Sequence, residues 1–284
     1  MKNGIPDLAA HLTLERLEEN LFRGDSWEVG QGSVFGGQVL GQALAAAGLT
    51  VEERLAHSLH AYFLLPGDPQ DTIDYAVRRI RDGRSFTTRE VVAYQRDQEI
   101  FRMMASFQIA ERGIEHQAEM PQVAGPEGLQ SKNELAEKIV DRVPEKYRCF
   151  LLRQRPIEFR PVAPGDPLNP EPRPPRRQIW LRAIAPLPDD PALHQAVLAY
   201  ASDFSLLGTA LLSHGFSLVQ GQVKAASIDH AMWFHRDFRA DEWLLYSLES
   251  PSAGSCRGMG QGRLFTRDGR LVATVVQEGL LRER

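Results

Sequence analysis

Leu198–Leu212, LAYASDFSLLGTALL, is almost wholly apolar or small, yet it carries one carboxylate, Asp203, at its centre. A helix that is apolar on every side is one that other elements enclose, so this stretch is expected to be the axis of a layered domain. An ionised side chain in such a place has no structural use unless a polar partner meets it. A second reading is local: Ser202-Asp203 caps a further helical segment, its oxygens accepting N–H groups of the next turn. The two readings are compatible, because a capping aspartate is also a fixed, ionised acceptor.

Working upstream, Asp190-Pro191 pairs a capping residue with proline at the first helical position, a strong helix start. Gln178–Ala183 reads as a short strand after the proline-dense run Pro161–Arg177. Downstream, β-branched and aromatic runs at Val223–His235, Trp243–Ser250, Cys256–Thr266 and Arg270–Leu281 read as antiparallel strands, with Asp268-Gly269 as the last hairpin turn. The first part of the chain shows the same order. Asp7 starts a helix with Leu8, Leu12, Leu17 and Leu21 near helical spacing, ending near Asn20. The glycine-rich GQGSVFGGQ leads into a small-residue helix, Val39–Ala47, followed by strands Ala56–Leu65, Thr72–Arg81, Ser85–Gln95 and Glu99–Ala110. Glu111–Arg148 is polar and proline-broken and reads as a linker with a short helix near Asn133–Val140.

Two units therefore repeat, each an antiparallel sheet around an apolar helix, which makes an α+β architecture with one continuous sheet and two central helices. The expected division is an N-terminal repeat over 1–112, a linker over 113–150 and a C-terminal repeat over 151–284. A shift of 169 places Ser58 on Ser227 and Gln108 on Gln277, and carries Val34, with Gln38 as its nearest polar neighbour, onto Asp203. Only the second repeat adds a carboxylate, so one working site per chain is expected. A shift of 170 instead matches His60-Ala61 to His230-Ala231, and a slip of one residue exchanges the faces of a strand.

Composition narrows the function. A net charge of −4 argues against nucleic acid as the main partner. Arginine outnumbers lysine 28 to 5; that suits a phosphate-bearing ligand and equally a genomic codon preference. The charged start offers no apolar core for a signal peptide, and no long apolar span stands out elsewhere, which points to the cytoplasm. Cys149 and Cys256 form neither a disulfide framework nor a metal spacing.

Ser227 lies in an alternating strand, with Asp229, Ala231 and Trp233 expected on its face. Gln277 stands in LVATVVQEGLL, where a buried amide requires partners. Asp203, Ser227 and Gln277 together supply a base, a hydroxyl and an amide able to hold a water for attack on a carbonyl, with no covalent intermediate and no cofactor. A nucleophilic serine is poorly supported because no G-x-S-x-G elbow occurs. Metal hydrolysis is weaker, since HExxH is missing and His57/His60 is a lone pair. The glycines at 30–37 do not complete GxGxxG, because Phe35 occupies the third glycine position.

SIDHAMWFHR (227–236), with ASDFSLL before it and LVATVVQEG after it, resembles the acyl-CoA thioesterase II family. FGGQVLGQAL, HSLHAYFLLPGD, RDGRSFTTREVVAYQ and IFRMMASFQ extend the likeness through the first half. The resemblance implies a double hot-dog fold and hydrolysis of fatty acyl-CoA to free acid and CoA. It also carries the family's catalytic Asp, hydroxyl residue and Gln onto Asp203, Ser227 and Gln277. One departure is the hydroxyl position, where the family's familiar residue is threonine and this chain has Ser227. Asp229-His230 is either a strand-geometry pair or the acid/base dyad of a hydratase on the same scaffold; a silent acyl-CoA binding protein is the rival outside enzymes. Arg78, Arg79, Arg81 and Arg84 around the Asp82-Gly83 turn, and Arg257, are candidates for CoA phosphates or else solvated strand ends. Because a sheet of this kind leaves edges to pair, a homodimer or homotetramer is expected.

Overall fold

The computed structural model describes residues 7–27, 32–143, 148 and 151–284; Cys149 lies outside them. Asp7 does cap a helix, its carboxylate accepting the Ala10 N–H at 3.1 Å, but α1 spans only Leu8–Leu12. Thr13 leaves the helical region, and the next residues form a hairpin, β1 (Glu15–Glu18) and β2 (Leu21–Gly24). The helical spacing of Leu17 and Leu21 is accidental: β2 pairs with β4, and that ladder outweighs local propensity over so short a run.

The small-residue helix is α2 (Gly36–Gly48), followed by β3 (Leu55–Phe63), β4 (Ile73–Asp82), β5 (Phe86–Gln95) and β6 (Gln98–Gln108). The linker holds α3 (Lys132–Glu137), whose start carries a reciprocal capping box between Ser131 and Glu134. The second half contains β7 (Ile157–Pro161), β8 (Arg176–Ala183), α4 (Pro191–Ser202), α5 (Leu206–Ala210), β9 (Val223–Ser227), β10 (Asp229–Phe234), β11 (Leu244–Gly254), β12 (Arg257–Thr266) and β13 (Leu271–Glu283). Strand β7 is hidden in the sequence by its short length and the prolines that bracket it.

All 13 strands form one antiparallel sheet in the order β1-β2-β4-β5-β6-β3-β10-β13-β12-β11-β8-β7, with β9 continuing β10 along β13. The two halves join where β3 pairs with β10, His60 opposite Ala231. Helices α2 and α4 lie together against the inner side. Their backbones nearly touch, since a Cβ on Gly37 would stand 2.4 Å from the Tyr200 carbonyl oxygen and one on Gly41 2.9 Å from that of Ala196. Glycine at these two positions is what brings α2 onto α4. The helical run Pro191–His214 is long and apolar enough to cross a bilayer by length and composition, but 67% of its most apolar window is buried inside the protein, as befits a core helix.

The axis stretch is thus two helices rather than one. The chain breaks at Asp203–Ser205, where Ser205 takes a left-handed conformation (φ 76°) before α5 resumes. Helix α5 lies directly on β12, because Gly260 offers no side chain where the Leu206 carbonyl oxygen would be 2.9 Å from a Cβ.

Candidate active site

The break between α4 and α5 puts Asp203 where its carboxylate leaves the helix and points across the molecule. Oδ2 accepts the backbone N–H of Gly37 at 2.8 Å. Asp203 therefore caps a helix, but the helix is α2 of the other half, not the segment that follows it. The positive end of α2 favours the ionised carboxylate. Oδ1 accepts from the Gln277 amide at 2.6 Å, and the Ser227 hydroxyl stands 3.5 Å away, at the limit of a hydrogen bond. Burial pushes the Asp203 carboxyl above the usual carboxylate range, opposed by the bonds from Gln277, Gly37 and Ser227.

Gln277 is fully buried. Its Nε2 lies 2.6 Å from Asp203, 3.1 Å from Ser227 Oγ and 3.3 Å from His230 Nδ1, while its Oε1 has no partner. His230 Nε2 meets Ser202 Oγ at 3.0 Å, and burial lowers its pKa to about 3, so the ring is neutral across the physiological range. Behind it, the Tyr246 hydroxyl donates to the Ser202 carbonyl at 2.8 Å and pins the last turn of α4. Asp203, Phe204, Ser205 and Ser227 keep part of their surface exposed, so the group is reachable from outside.

Ser227 reaches this group because the strand is bulged. Along β13 the pairing is Ser227 with Gly279 but Ala231 with Val276, a register shift of one residue around Ile228. The expected sharing of a face by Ser227 with Asp229, Ala231 and Trp233 is therefore wrong. Ser227 faces inward with His230, and the Asp229 carboxylate accepts the Glu278 N–H at 2.6 Å instead. Asp229 and His230 turn apart and form no dyad.

The first half supplies no counterpart. The Gln108 amide donates to Glu111 at 3.1 Å, and Ser58 sits at a bulge of β3 opposite Trp233. What that half contributes is the α2 N-terminus, beside Gln38, whose own side chain accepts the Trp27 N–H at 2.9 Å. His57 meets Ser106 Oγ at 2.8 Å and His60 stacks edge-on against Trp233. Among the described residues no group of three or more His, Cys, Asp or Glu is placed to hold a metal ion.

The candidate arginines stand apart from the trio. Arg78 pairs with Glu90 at 2.8 Å and Arg79 with Glu19 at 3.1 Å. Phe63, at one end of β3, marks the level of Asp203: a Cβ on Gly36 would meet both Asp203 Oδ2 and Phe63 at 2.9 Å. Arg81 and Arg84 belong to the opposite end of the strands, the level of Leu55 and Phe86, roughly 25 Å away at about 3.3 Å per residue. Arg257 is nearer along the sheet, but it is ion-paired with Glu278 at 2.9 Å on the outer face. In the sequence Gly37 reads only as part of a glycine-rich run, Ser202 only as part of a local cap, and His230 only as half of a dyad. Its signal was a histidine on the same inward period as Met232 and Phe234.

Comparison with known proteins finds matches in both halves of the chain. A family model described as acyl-CoA thioesterase matches residues 152–280, and one described as acyl-CoA thioesterase N-terminal domain matches residues 24–108. The chain is 41% identical to acyl-CoA thioesterase 2 of Haemophilus influenzae, over 99% of both proteins. The crystal structure of an acyl-CoA thioesterase II from Mycobacterium marinum superposes with a TM-score of 0.80 at 43% identity, covering 98% of this chain and 99% of that one. A hot-dog-fold protein of Alicyclobacillus acidocaldarius superposes with a TM-score of 0.78 at 18% identity, over 98% of both chains, which is likeness of fold alone.

Proposed function

The chain belongs to the acyl-CoA thioesterase family and has its double hot-dog fold, and from that premise we propose that it hydrolyses fatty acyl-CoA through a water activated by Asp203. The observation that carries the residue assignment is the buried Gln277 amide, which joins the partly exposed Asp203 at 2.6 Å and Ser227 at 3.1 Å in one group. A water beside the Asp203 carboxylate gives it a proton while its oxygen attacks the thioester carbonyl. Ser227 and Gln277, whose amide nitrogen meets both Asp203 and Ser227, orient that water. The positive end of α2 offsets charge on the developing oxyanion. The intermediate collapses with cleavage of the C–S bond, the CoA sulfur leaves as a thiolate, and the proton held by Asp203 passes to it or to solvent, which restores the carboxylate. A thiolate is a good leaving group, with a conjugate-acid pKa of about 8.5.

Two rivals are disfavoured by geometry. Covalent catalysis by Ser227 needs a base that takes its proton, but Asp203 is 3.5 Å away and the Gln277 amide donates to the Ser227 oxygen, which weakens it as a nucleophile. A hydratase dyad of Asp229 and His230 does not form, because Asp229 is committed to the Glu278 N–H. The test is thiol release from a saturated acyl-CoA, combined with rapid quench and intact-mass measurement. Stoichiometric thiol and no acylated enzyme are expected; an acyl group trapped on Ser227 would overturn the mechanism. We also keep a homodimer or homotetramer as a proposal, covering the free edges at β1 and β7, to be checked by light scattering.

A further inference from the structure

Many arginines in the described residues rest against carboxylates, as Arg23 does on Asp74, Arg102 on Glu90 and Glu99, Arg182 on Glu158 and Arg239 on Asp241. Lys132 and Arg177, beside the Asp203 turn, do not. Lys132, at the start of α3, points its ammonium at Ser205 Oγ, 2.8 Å away, and over the ring of Phe159 at 4.8 Å. Arg177 on β8 donates through one Nη to the Gly208 carbonyl at 2.6 Å, and its buried Nε has no partner. Arg155 lies close by, its guanidinium 5.9 Å from the centre of the Phe204 ring. No carboxylate among the described residues is paired with Lys132 or Arg177.

Like charges gathered in a half-buried place repel one another and lose hydration. The strain is visible on Lys132, whose pKa falls to about 7 through burial and the fields of Arg177 and Arg155, and on Arg177, lowered to about 10. All three side chains keep some exposed surface. An anion arriving there would relieve the repulsion and take the orphaned Nε–H.

We propose that Lys132 and Arg177, with Arg155 beside them, form an anion-binding crevice that receives a phosphate group of the CoA moiety. The proposal rests on the reading of Asp203 as the hydrolytic centre, because Ser205, which Lys132 meets, is only two residues from it. Several cations around one point suit a group with several oxygens and more than one negative charge better than a single carboxylate. The nucleotide end then lies against the α3–α5 face rather than at the Arg84 turn.

The experiment compares hexanoyl-CoA with hexanoyl-pantetheine, which has the same thioester and no phosphate, in wild type, Lys132→Met, Arg177→Met and Lys132→Arg. Loss of a charge-assisted hydrogen bond raises KM for hexanoyl-CoA about 10- to 100-fold in the two methionine variants. KM for hexanoyl-pantetheine does not follow, and Lys132→Arg restores most of the affinity. In wild type, inorganic pyrophosphate competes with hexanoyl-CoA and not with hexanoyl-pantetheine, which keeps the proposal open to test if a variant fails to fold. Equal changes for both substrates would show that Lys132 merely props the Ser205 turn, and no change for either would remove the crevice from binding. An effect confined to acyl chains ending in a carboxylate would assign the crevice to the acyl end, and each of these results overturns the proposal. None touches the reading of Asp203, whose failure would show instead as undiminished kcat on both substrates in Asp203→Asn.

Discussion

Asp203→Asn separates chemistry from architecture. Asparagine has the same volume and keeps an oxygen for the Gly37 N–H, which the wild-type carboxylate holds at 2.8 Å. Its new N–H₂ group faces Gln277, whose amide turns over to present Oε1, the atom that has no partner in the wild type. The bonds to Gly37 and Gln277 survive, the Gln277 Nε2 contacts with Ser227 and His230 are given up, and the ability to accept a proton is lost. General-base catalysis is worth about 10²- to 10⁴-fold, or about 3–5 kcal/mol of barrier; kcat should fall by that factor while the Kd for a non-hydrolysable thioether analogue changes less than about threefold. Stability moves the other way. A carboxyl whose pKa is raised in the folded state by burial contributes stability that is present below the unfolded value and lost as pH rises through the folded one. The wild type loses that contribution progressively as pH rises, whereas asparagine has no charge to bury, so the melting temperature of the variant gains on that of the wild type with rising pH. Thiol release is followed with a chromogenic thiol reagent, after subtracting the signal of the exposed Cys256. A kcat within tenfold of wild type refutes the assignment; so does a loss of analogue binding in proportion to kcat.

Ser227→Ala should lower kcat about tenfold, less than Asp203→Asn, because it removes an orienting hydrogen bond and no proton acceptor; combined with Gln277→Ala the losses should be far from additive, and additive losses would separate the two residues. Ser227→Thr adds a methyl at the end of β9, in a strand that favours β-branching, and should hold or raise kcat. Gly37→Ala places a Cβ 2.4 Å from the Tyr200 carbonyl oxygen and should destabilise the protein by about 1–3 kcal/mol; an unchanged calorimetric Tm would show that α2 and α4 are not packed so closely. His11, stacked on Trp27 with ring centroids 3.6 Å apart, has its pKa lowered from 6.5 to about 4 by burial. As pH falls through that window the unfolded chain takes up a proton that the folded one refuses, so stability falls by up to about 3 kcal/mol. Denaturant midpoints of His11→Asn should show a flatter pH dependence there, and identical slopes would contradict the assignment.

Much of the frame was legible in the chain because it is local. Asp190-Pro191, the small-residue helix after the glycines and the hairpin turns each report on a few neighbouring residues, and the strands they bound recur where alternation puts them. Asp203 and Gln277 could be found because each is a polar misfit in an apolar run, and a buried polar group must be answered by another. The sequence could not say by what. Gly37 meets Asp203 across 166 positions of chain, and no local pattern encodes that encounter; it exists because α2 and α4 pack backbone to backbone. The bulge at Ile228 is equally invisible, since a one-residue shift against β13 is a property of the pair of strands and not of either. It alone turns Ser227 inward to His230, and it defeats the simple repeat that set Ser58 and Gln108 as counterparts. The hairpin β1–β2 replaced a periodic leucine pattern because pairing with β4 outweighs the propensity of four residues. The arginines drew attention through their number, but only packing shows that many meet carboxylates while Arg177, like Lys132, meets none among the described residues beside the Asp203 turn. Backbone preference and hydrophobic period act over a few residues and are written in order along the chain, whereas the partners of a buried charge are chosen by whichever elements the finished core presses together.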